Sequence, residues 1–147
     1  MTADLRKSIE IPTRDGSEVV EVFLDELPED SDELCEILLA EAASLELFHQ
    51  FALEYYKRAQ VPAFVNLVKR GIDEGRRKNS QQVNLSISRL LSTLAAHYIH
   101  EGLQIATIDF TRSSRLLDEA AVCLNEAEAR VPASNADFGV RKGNYLI

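Results

Sequence analysis

The sequence predicts an all-α fold preceded by an extended N-terminal arm. Two patterns of apolar residues indicate this. Up to about residue 30 apolar residues alternate with polar ones, and from residue 31 onward they recur at the 3.6-residue period of amphipathic helices. Hydrophobic residues form 46% of the 147-residue chain and charged residues 27%, which is ordinary for a soluble globular domain, and six Gly and four Pro are too few for a low-complexity chain. We therefore expect an arm over residues 1–30 and a helical region over residues 31–147.

The arm carries the pattern of a β-hairpin, with inward-facing apolar positions Ile9, Ile11, Val20 and Val22. Between them lies Asp15–Gly16, a favoured two-residue hairpin turn. That turn would pair Ile11 with Val20 and would place two like charges, Glu10 and Glu21, opposite each other. An isolated two-stranded hairpin is marginally stable in water, so we expect the arm to lie on the helical body or on a partner chain.

The helical region divides into five predicted helices. N-cap candidates Asp30, Ser31 and Asp32 precede the first, and Pro62 suits the first turn of the third. We expect Gly71 and Gly75 to end the third helix and Gly102 to break the fourth. The predicted bounds are about 32–44 and 45–59 for the first two helices and about 83–100 and 105–130 for the last two, with a polar loop over 73–82 after the third.

Two of these helices share one internal repeat. The set Phe48-x-x-Phe51-Ala52-x-x-Tyr55 has the same large, large, small, Tyr spacing as Leu91-x-x-Leu94-Ala95-x-x-Tyr98. This spacing is typical of the first helix of a tetratricopeptide repeat, and Ala120-x-x-x-Leu124-x-x-Ala127 with Pro132 is typical of the second. The two sets begin 43 residues apart, compared with about 34 in ordinary repeats. A plain helical bundle remains the alternative to a tetratricopeptide solenoid.

In a tetratricopeptide pair, the opposite face of each first helix lines a concave groove. The interpretation that these positions are merely solvent-exposed remains open. The groove positions are Glu46, His49, Leu53, Tyr56 and Lys57 on the earlier helix and Arg89, Ser92, Ala96, Ile99 and His100 on the later one.

Charge is distributed unevenly along the chain. Residues 15–56 hold thirteen acidic residues and no Lys or Arg, whereas residues 57–90 hold eight basic and two acidic residues. The asymmetry indicates either faces that pair within the fold or an acidic surface for a basic partner. The net charge of −8 argues against nucleic-acid binding by the domain as a whole. No apolar run is long enough to predict a membrane span, and no signal peptide is evident.

The residues that carry catalytic chemistry do not form a recognisable set. His97 and His100 are spaced to share a helix face, but two ligands do not complete a metal site. Cys35 and Cys123 lie on apolar stripes and are interpreted as buried core residues. We therefore expect no enzymatic activity, no cofactor and no metal.

Four segments of the N-terminal half together resemble a known family, and Leu94-Ala95-Ala96-x-Tyr98 continues the match. The four are Ser8-Ile9-Glu10-Ile11-Pro12-x-Arg14-Asp15, Glu18-Val19-Val20, Leu27-Pro28-Glu29 and Ala52-Leu53-Glu54-Tyr55-Tyr56-Lys57. Their sequence is similar to the start of the Cln-three-requiring family, the tetratricopeptide scaffold subunits of the RNA polymerase II-associated factor (Paf) complex. The resemblance covers about residues 8–100.

The resemblance implies a non-catalytic, nuclear scaffold with many tetratricopeptide repeats, of which this chain would be an N-terminal piece truncated within the repeats. The implied complex travels with elongating RNA polymerase II and promotes transcription elongation and histone modification on chromatin. Its N-terminal repeats would bind an extended segment of the complex's eponymous subunit, and through it the other subunits. We expect the buried anchors of such an arm to be Ile9, Ile11, Val20, Val22, Phe23 and Leu24.

Two other functions compete with this interpretation. One is a co-chaperone-like tetratricopeptide clamp, in which Lys57 and Arg89 would hold the carboxylates of an acidic C-terminal peptide. The other is an enzyme subunit that uses His97 and His100.

Overall fold

The computed structural model describes residues 7–78 and 80–131. The chain divides into two compact units between Glu74 and Gly75. The described elements are strands β1 (Ser8–Pro12) and β2 (Val19–Phe23), a short 3₁₀ turn (Leu24–Glu26), and helices α1 (Ser31–Ala40), α2 (Leu45–Lys57), α3 (Val61–Lys78), α4 (Gln81–Ile105) and α5 (Phe110–Ala129).

The arm forms the predicted antiparallel hairpin in the predicted register. Ile11 pairs with Val20, and Glu10 lies directly opposite Glu21. The inward-facing Ile11 is fully buried, which is the expected outcome when one face of a two-stranded sheet lies on a body. The arm therefore lies on its own chain.

The predicted two-residue turn is wrong, because the hairpin closes through a four-residue loop, residues 14–17. The amide of Thr13 donates to the carbonyl of Glu18 (3.0 Å), and the amide of Gly16 donates to the carbonyl of Thr13 (2.9 Å). Gly16 has a φ of 76°, a left-handed conformation that glycine adopts without strain. Asp15 accepts hydrogen bonds from the amide and the hydroxyl of Ser17, which stabilises the loop.

Helix α1 begins at the predicted N-cap, where the Asp30 carboxylate accepts from the amide of Asp32 at 2.9 Å. It ends at Ala40, four residues before the predicted end. Ala42 adopts a left-handed φ of 51°, and the amide of Ala43 donates to the carbonyl of Leu38 at 2.9 Å. This arrangement is a Schellman motif with alanine where glycine is usual.

Helix α2 ends in the same way. Ala59 has a φ of 61°, and the amide of Gln60 donates to the carbonyl of Tyr55 at 3.0 Å. The helix therefore stops at Lys57, two residues before its predicted end.

Helix α3 corrects two predictions, since it runs through Gly71 and Gly75 to Lys78 instead of ending at the glycines. Both glycines are buried. Basic residues fill the last turn, where they interact favourably with the negative end of the helix dipole. The predicted polar loop over 73–82 is therefore mostly helix.

Helix α4 continues through Gly102, contrary to the predicted break. A Cβ atom at Gly102 would lie 3.3 Å from both the side chain of Leu117 and the carbonyl oxygen of Ser113, so glycine allows α5 to approach closely. The hydroxyl of Ser113 donates to the carbonyl of Gly102 at 2.7 Å. Helix α4 therefore extends to Ile105, five residues past its predicted end, and α5 begins at Phe110, five residues after its predicted start.

The repeated residues are packed in the core, as predicted, and the two sets lie in different units. Every member of both large, large, small, Tyr sets is buried, as are the second-helix residues Ala120 and Ala127 and the cysteines Cys35 and Cys123. Pro132 and the C-terminal residues through 147 lie outside the described residues. The fold is an all-α, tetratricopeptide-like helical fragment with an extended N-terminal arm.

Candidate partner-binding site

Two of the six predicted arm anchors are covered by their own chain. Ile11 has an exposed fraction of 0% and Leu24 one of 8%, so both hold the hairpin on the body. The other four are half-buried: Ile9, Val20, Val22 and Phe23. The six residues therefore divide into two that are buried against the chain and four that remain partly accessible.

A buried tyrosine also fixes the arm to α2. The hydroxyl of Tyr55 donates to the backbone carbonyl of Pro28, just after the hairpin, at 2.6 Å. Burial raises the pKa of this hydroxyl, and the charges of Asp30 and Glu33 raise it further, so Tyr55 remains a neutral donor at physiological pH.

The predicted groove residues of α2 lie on the accessible side of this helix. His49 is half-buried, while the other four are exposed: Glu46, Leu53, Tyr56 and Lys57. Leu53 has an exposed fraction of 37%, and the ring of Tyr56 packs against that of Phe64 with centroids 4.8 Å apart. Leu53 and Tyr56 are therefore two large apolar side chains that are partly exposed on one surface of α2.

One cleft brings together residues that the sequence assigned to two separate sites. It lies between β1 and α2, has a volume of about 600 Å³, and is lined by the arm residue Ile9 and by the groove residues Leu53 and Lys57. Its volume is in the range of about 300–1,000 Å³ that is typical of ligand-binding clefts. Its remaining lining residues are Ser8, Glu10, Gln50 and Glu54.

A second cleft of about 370 Å³ shares Glu54 and Lys57 with the first. Its other lining residues are Lys7, Leu24, Asp25 and Arg58. We name the two together the β1–α2 cleft. Because they share two lining residues, the β1–α2 cleft forms a continuous surface between the arm and the first helix of the repeat.

Sequence reasoning missed Gln50 and Glu54 as cleft residues, although a signal was present. Gln50, Leu53, Glu54 and Lys57 stand at i, i+3, i+4 and i+7, which places them on one face of α2. The Lys57 ammonium lies 3.1 Å from the Glu54 carboxylate, so this lysine is already engaged in an ion pair.

The predicted groove residues of α4 belong to the other unit. Arg89 and His100 are exposed and Ile99 is half-buried. The same stripe of α4 also carries Leu85 and Leu103, the latter with an exposed fraction of 65%, which sequence reasoning did not single out. Each half of the predicted groove therefore has its own accessible apolar surface.

The histidine considered as a metal ligand is held within its own unit. Nε2 of the buried His97 lies 3.0 Å from a carboxylate oxygen of Glu101, and Arg112 contacts the other oxygen of that carboxylate at 3.1 Å. Burial lowers the pKa of His97, and the carboxylate of Glu101 opposes this shift. Across residues 7–78 and 80–131, no cluster of three or more His, Cys, Asp or Glu side chains could hold a metal ion.

In the same described ranges, no helix has the length and apolar character needed to cross a membrane.

Comparison with known proteins agrees with the family resemblance. The chain is 31% identical over 145 residues, 96% of its length, to the RNA polymerase-associated protein CTR9 of Caenorhabditis elegans. It is 32% identical over 95 residues, 65% of its length, to the protein CTR9 homolog of Arabidopsis thaliana. These matches span 12% and 9% of the two relatives. No protein-family model matches the chain. The chain is therefore a CTR9-like segment that corresponds to about a tenth of the length of these relatives.

Proposed function

We propose that this chain is part of a non-catalytic scaffold subunit of the Paf complex, which acts in the nucleus with RNA polymerase II in transcription elongation and histone modification. Within it, the β1–α2 cleft binds an extended segment of the complex's eponymous subunit. The similarity to two CTR9 proteins supports the assignment to this complex.

The observation that carries the binding proposal is the convergence of arm and helix on one cleft. Half-buried Ile9 and exposed Leu53 provide its apolar surface, and Lys57 lies beside them. When a partner covers partly exposed apolar side chains in a concave surface, the complex is stabilised by about 25 cal/mol for each Å² of apolar area removed from water.

The test is co-expression of the chain with the eponymous subunit, followed by affinity purification and measurement of the mass of the complex by size exclusion. We expect a one-to-one complex with the wild-type chain. Leu53→Asp introduces a charge into the cleft and should abolish the complex, because a carboxylate that is desolvated without a partner is strongly unfavourable.

Val122→Asp is the matched control, since Val122 is an exposed helical residue of the other unit with an exposed fraction of 64%. It should retain the complex. Failure of the wild-type chain to form a complex would refute the proposal, as would equal loss in both variants. Charges at Ile11 would be uninformative, because Ile11 is fully buried and its substitution would unfold the arm itself.

A further inference from the structure

Two hydrogen bonds establish which backbone groups of β1 face β2. The amide of Leu24 donates to the carbonyl of Lys7 (2.9 Å), and that of Thr13 donates to the carbonyl of Glu18 (3.0 Å). These pairs lie at the two ends of the hairpin. In an antiparallel ladder, hydrogen-bonded pairs alternate with non-hydrogen-bonded pairs, so every second residue of β1 turns its amide and carbonyl away from β2.

The residues with outward-facing backbone groups are Ser8, Glu10 and Pro12. Proline has no amide hydrogen, so the third of these positions offers only an acceptor. The outer edge of β1 therefore presents both a backbone amide and a backbone carbonyl at Ser8 and at Glu10. At Pro12, where the strand ends, it presents only a carbonyl.

This outer edge faces the β1–α2 cleft. The strand side of the larger cleft is lined by three consecutive residues, Ser8, Ile9 and Glu10. The smaller cleft adds Lys7, just before β1, and Leu24 and Asp25, just after β2, and no residue of β2 itself lines either cleft. Side chains of consecutive strand residues point to opposite faces of a sheet, so a cleft that contacts all three lies along the strand edge. The face of α2 that carries Gln50 and Leu53 forms the opposite wall.

We infer that the β1–α2 cleft is a strand-addition site, in which an extended peptide pairs with the outer edge of β1 as a third strand. The inference rests on the proposed function, and it specifies how the partner segment binds. Main-chain hydrogen bonds to Ser8 and Glu10 provide affinity, and an apolar side chain of the peptide contacts Ile9 and Leu53. A peptide is the chemistry that matches alternating amide and carbonyl groups along an edge.

The charges along the cleft indicate the composition of the added strand. At its Lys7 end, three basic residues (Lys7, Lys57 and Arg58) lie with two acidic ones (Asp25 and Glu54). Glu10 is the acidic residue that lines the other end. The partner segment should therefore place an acidic residue near Lys7, where basic groups are in excess.

A pair of proline variants tests strand addition directly. Glu10→Pro removes an amide that points into the cleft, whereas Glu21→Pro removes the amide of the residue opposite it, which points away from β1. Both variants leave the backbone hydrogen bonds between the strands intact and remove one member of the same like-charge pair, and Glu21→Pro also removes the side-chain bond from Ser8 to Glu21. We expect Glu10→Pro to weaken binding of the eponymous subunit by about tenfold or more, and Glu21→Pro to leave it within about twofold. Retained hydrogen-exchange protection of the Leu24 amide, which donates to the carbonyl of Lys7, would show that the hairpin has survived in both variants.

A second measurement uses the wild-type chain, so it does not depend on the folding of a variant. Overlapping peptides of the eponymous subunit identify the binding segment, which is then N-methylated at one backbone amide at a time. Strand addition predicts loss of binding at every second residue, because alternate amides of the added strand point toward β1.

The outcomes separate the two proposals. If Leu53→Asp abolishes binding but Glu10→Pro retains it, or if N-methylation shows no alternation, strand addition is overturned and the proposed function stands. Stronger loss in Glu21→Pro than in Glu10→Pro would place the partner on the other edge and would also overturn it. No binding by the wild-type chain refutes both proposals.

Discussion

The substitution Tyr55→Phe isolates the contact that ties the arm to the first helix of the repeat. It removes one oxygen atom from a buried ring and with it the 2.6 Å hydrogen bond to the carbonyl of Pro28. The ring itself keeps its packing. A net hydrogen bond contributes about 0.5–1.5 kcal/mol to the free energy of unfolding. Pro28 is half-buried, so water can replace the lost donor and limit the additional cost of an unsatisfied carbonyl.

We therefore expect Tyr55→Phe to lower the free energy of unfolding by about 1 kcal/mol, which corresponds to about 2–4 °C in Tm for a chain of this size. Urea and thermal denaturation measure the global effect. Hydrogen exchange at the amide of Leu24, which donates to the carbonyl of Lys7, reports loosening of the hairpin. Protection at Leu24 should fall more than protection in α4 or α5.

The matched control is Tyr98→Phe, at the equivalent position of the second repeated set. Tyr98 is buried, and the structure shows no hydrogen bond from its hydroxyl to a described residue. It should change the free energy of unfolding by less than about 0.5 kcal/mol. Equal effects of the two substitutions, or unchanged exchange at Leu24 in Tyr55→Phe, would refute the assignment of Tyr55 as the tie between arm and helix.

The pH dependence of this contact has a definite sign. Because the folded state raises the pKa of Tyr55, its stabilising contribution is fully present below the ordinary tyrosine pKa of 10.0 and is lost as pH rises through the raised value. The difference in stability between the wild type and Tyr55→Phe should therefore be constant around neutral pH and disappear in strong alkali. A difference that changes between pH 6 and 8 would contradict this assignment.

Three further predictions concern stability, and each is checked by thermal or urea denaturation. Ala42→Gly and Ala59→Gly should each raise the free energy of unfolding by about 0.5–1 kcal/mol, because alanine with a positive φ is strained, and a loss would contradict the left-handed helix ends. Gly102→Ala should lower the free energy of unfolding by about 1 kcal/mol, because its Cβ would lie 3.3 Å from Leu117 and from a backbone carbonyl oxygen. A higher free energy of unfolding would mean that α5 moves to accommodate the methyl group. Glu126→Gln should cost about 1 kcal/mol at neutral pH. Hydrogen bonds from two arginines lower the pKa of Glu126, so this cost should fade as pH drops through the lowered pKa, and a cost that persists in acid would contradict the role of charge.

Features that depend on the local period of apolar residues were predicted from the sequence. Helix ends and helix lengths that depend on unusual backbone conformations or on contacts between elements were not. The hairpin register was predictable because alternation with period two leaves one register that buries Ile11. The ends of α1 and α2 were not, because alanine occupies the left-handed positions and leaves no glycine signal. The continuation of α4 through Gly102 depends on Leu117 of α5, a contact that no local pattern contains.

The candidate site shows the same division. Ile9, Leu53 and Lys57 were predicted individually from alternation and helical spacing. Their meeting in one cleft required the packing of β1 beside α2, between residues more than forty positions apart. The division of the predicted groove between two units was likewise not visible in a repeat pattern that treats both sets as equivalent.

The like-charge pair of the hairpin gives the arm an unusual response to salt. Glu10 and Glu21 stand opposite each other, and the hydroxyl of Ser8 donates to Glu21 at 2.8 Å, which relieves the repulsion only in part. Dissolved ions screen such repulsion over about 10 Å at 0.1 M, and they weaken attractive pairs such as Arg76 with Glu126 in the other unit. Rising ionic strength should therefore stabilise the hairpin while it weakens the attractive ion pairs between helical residues, so salt redistributes stability from the helices to the arm.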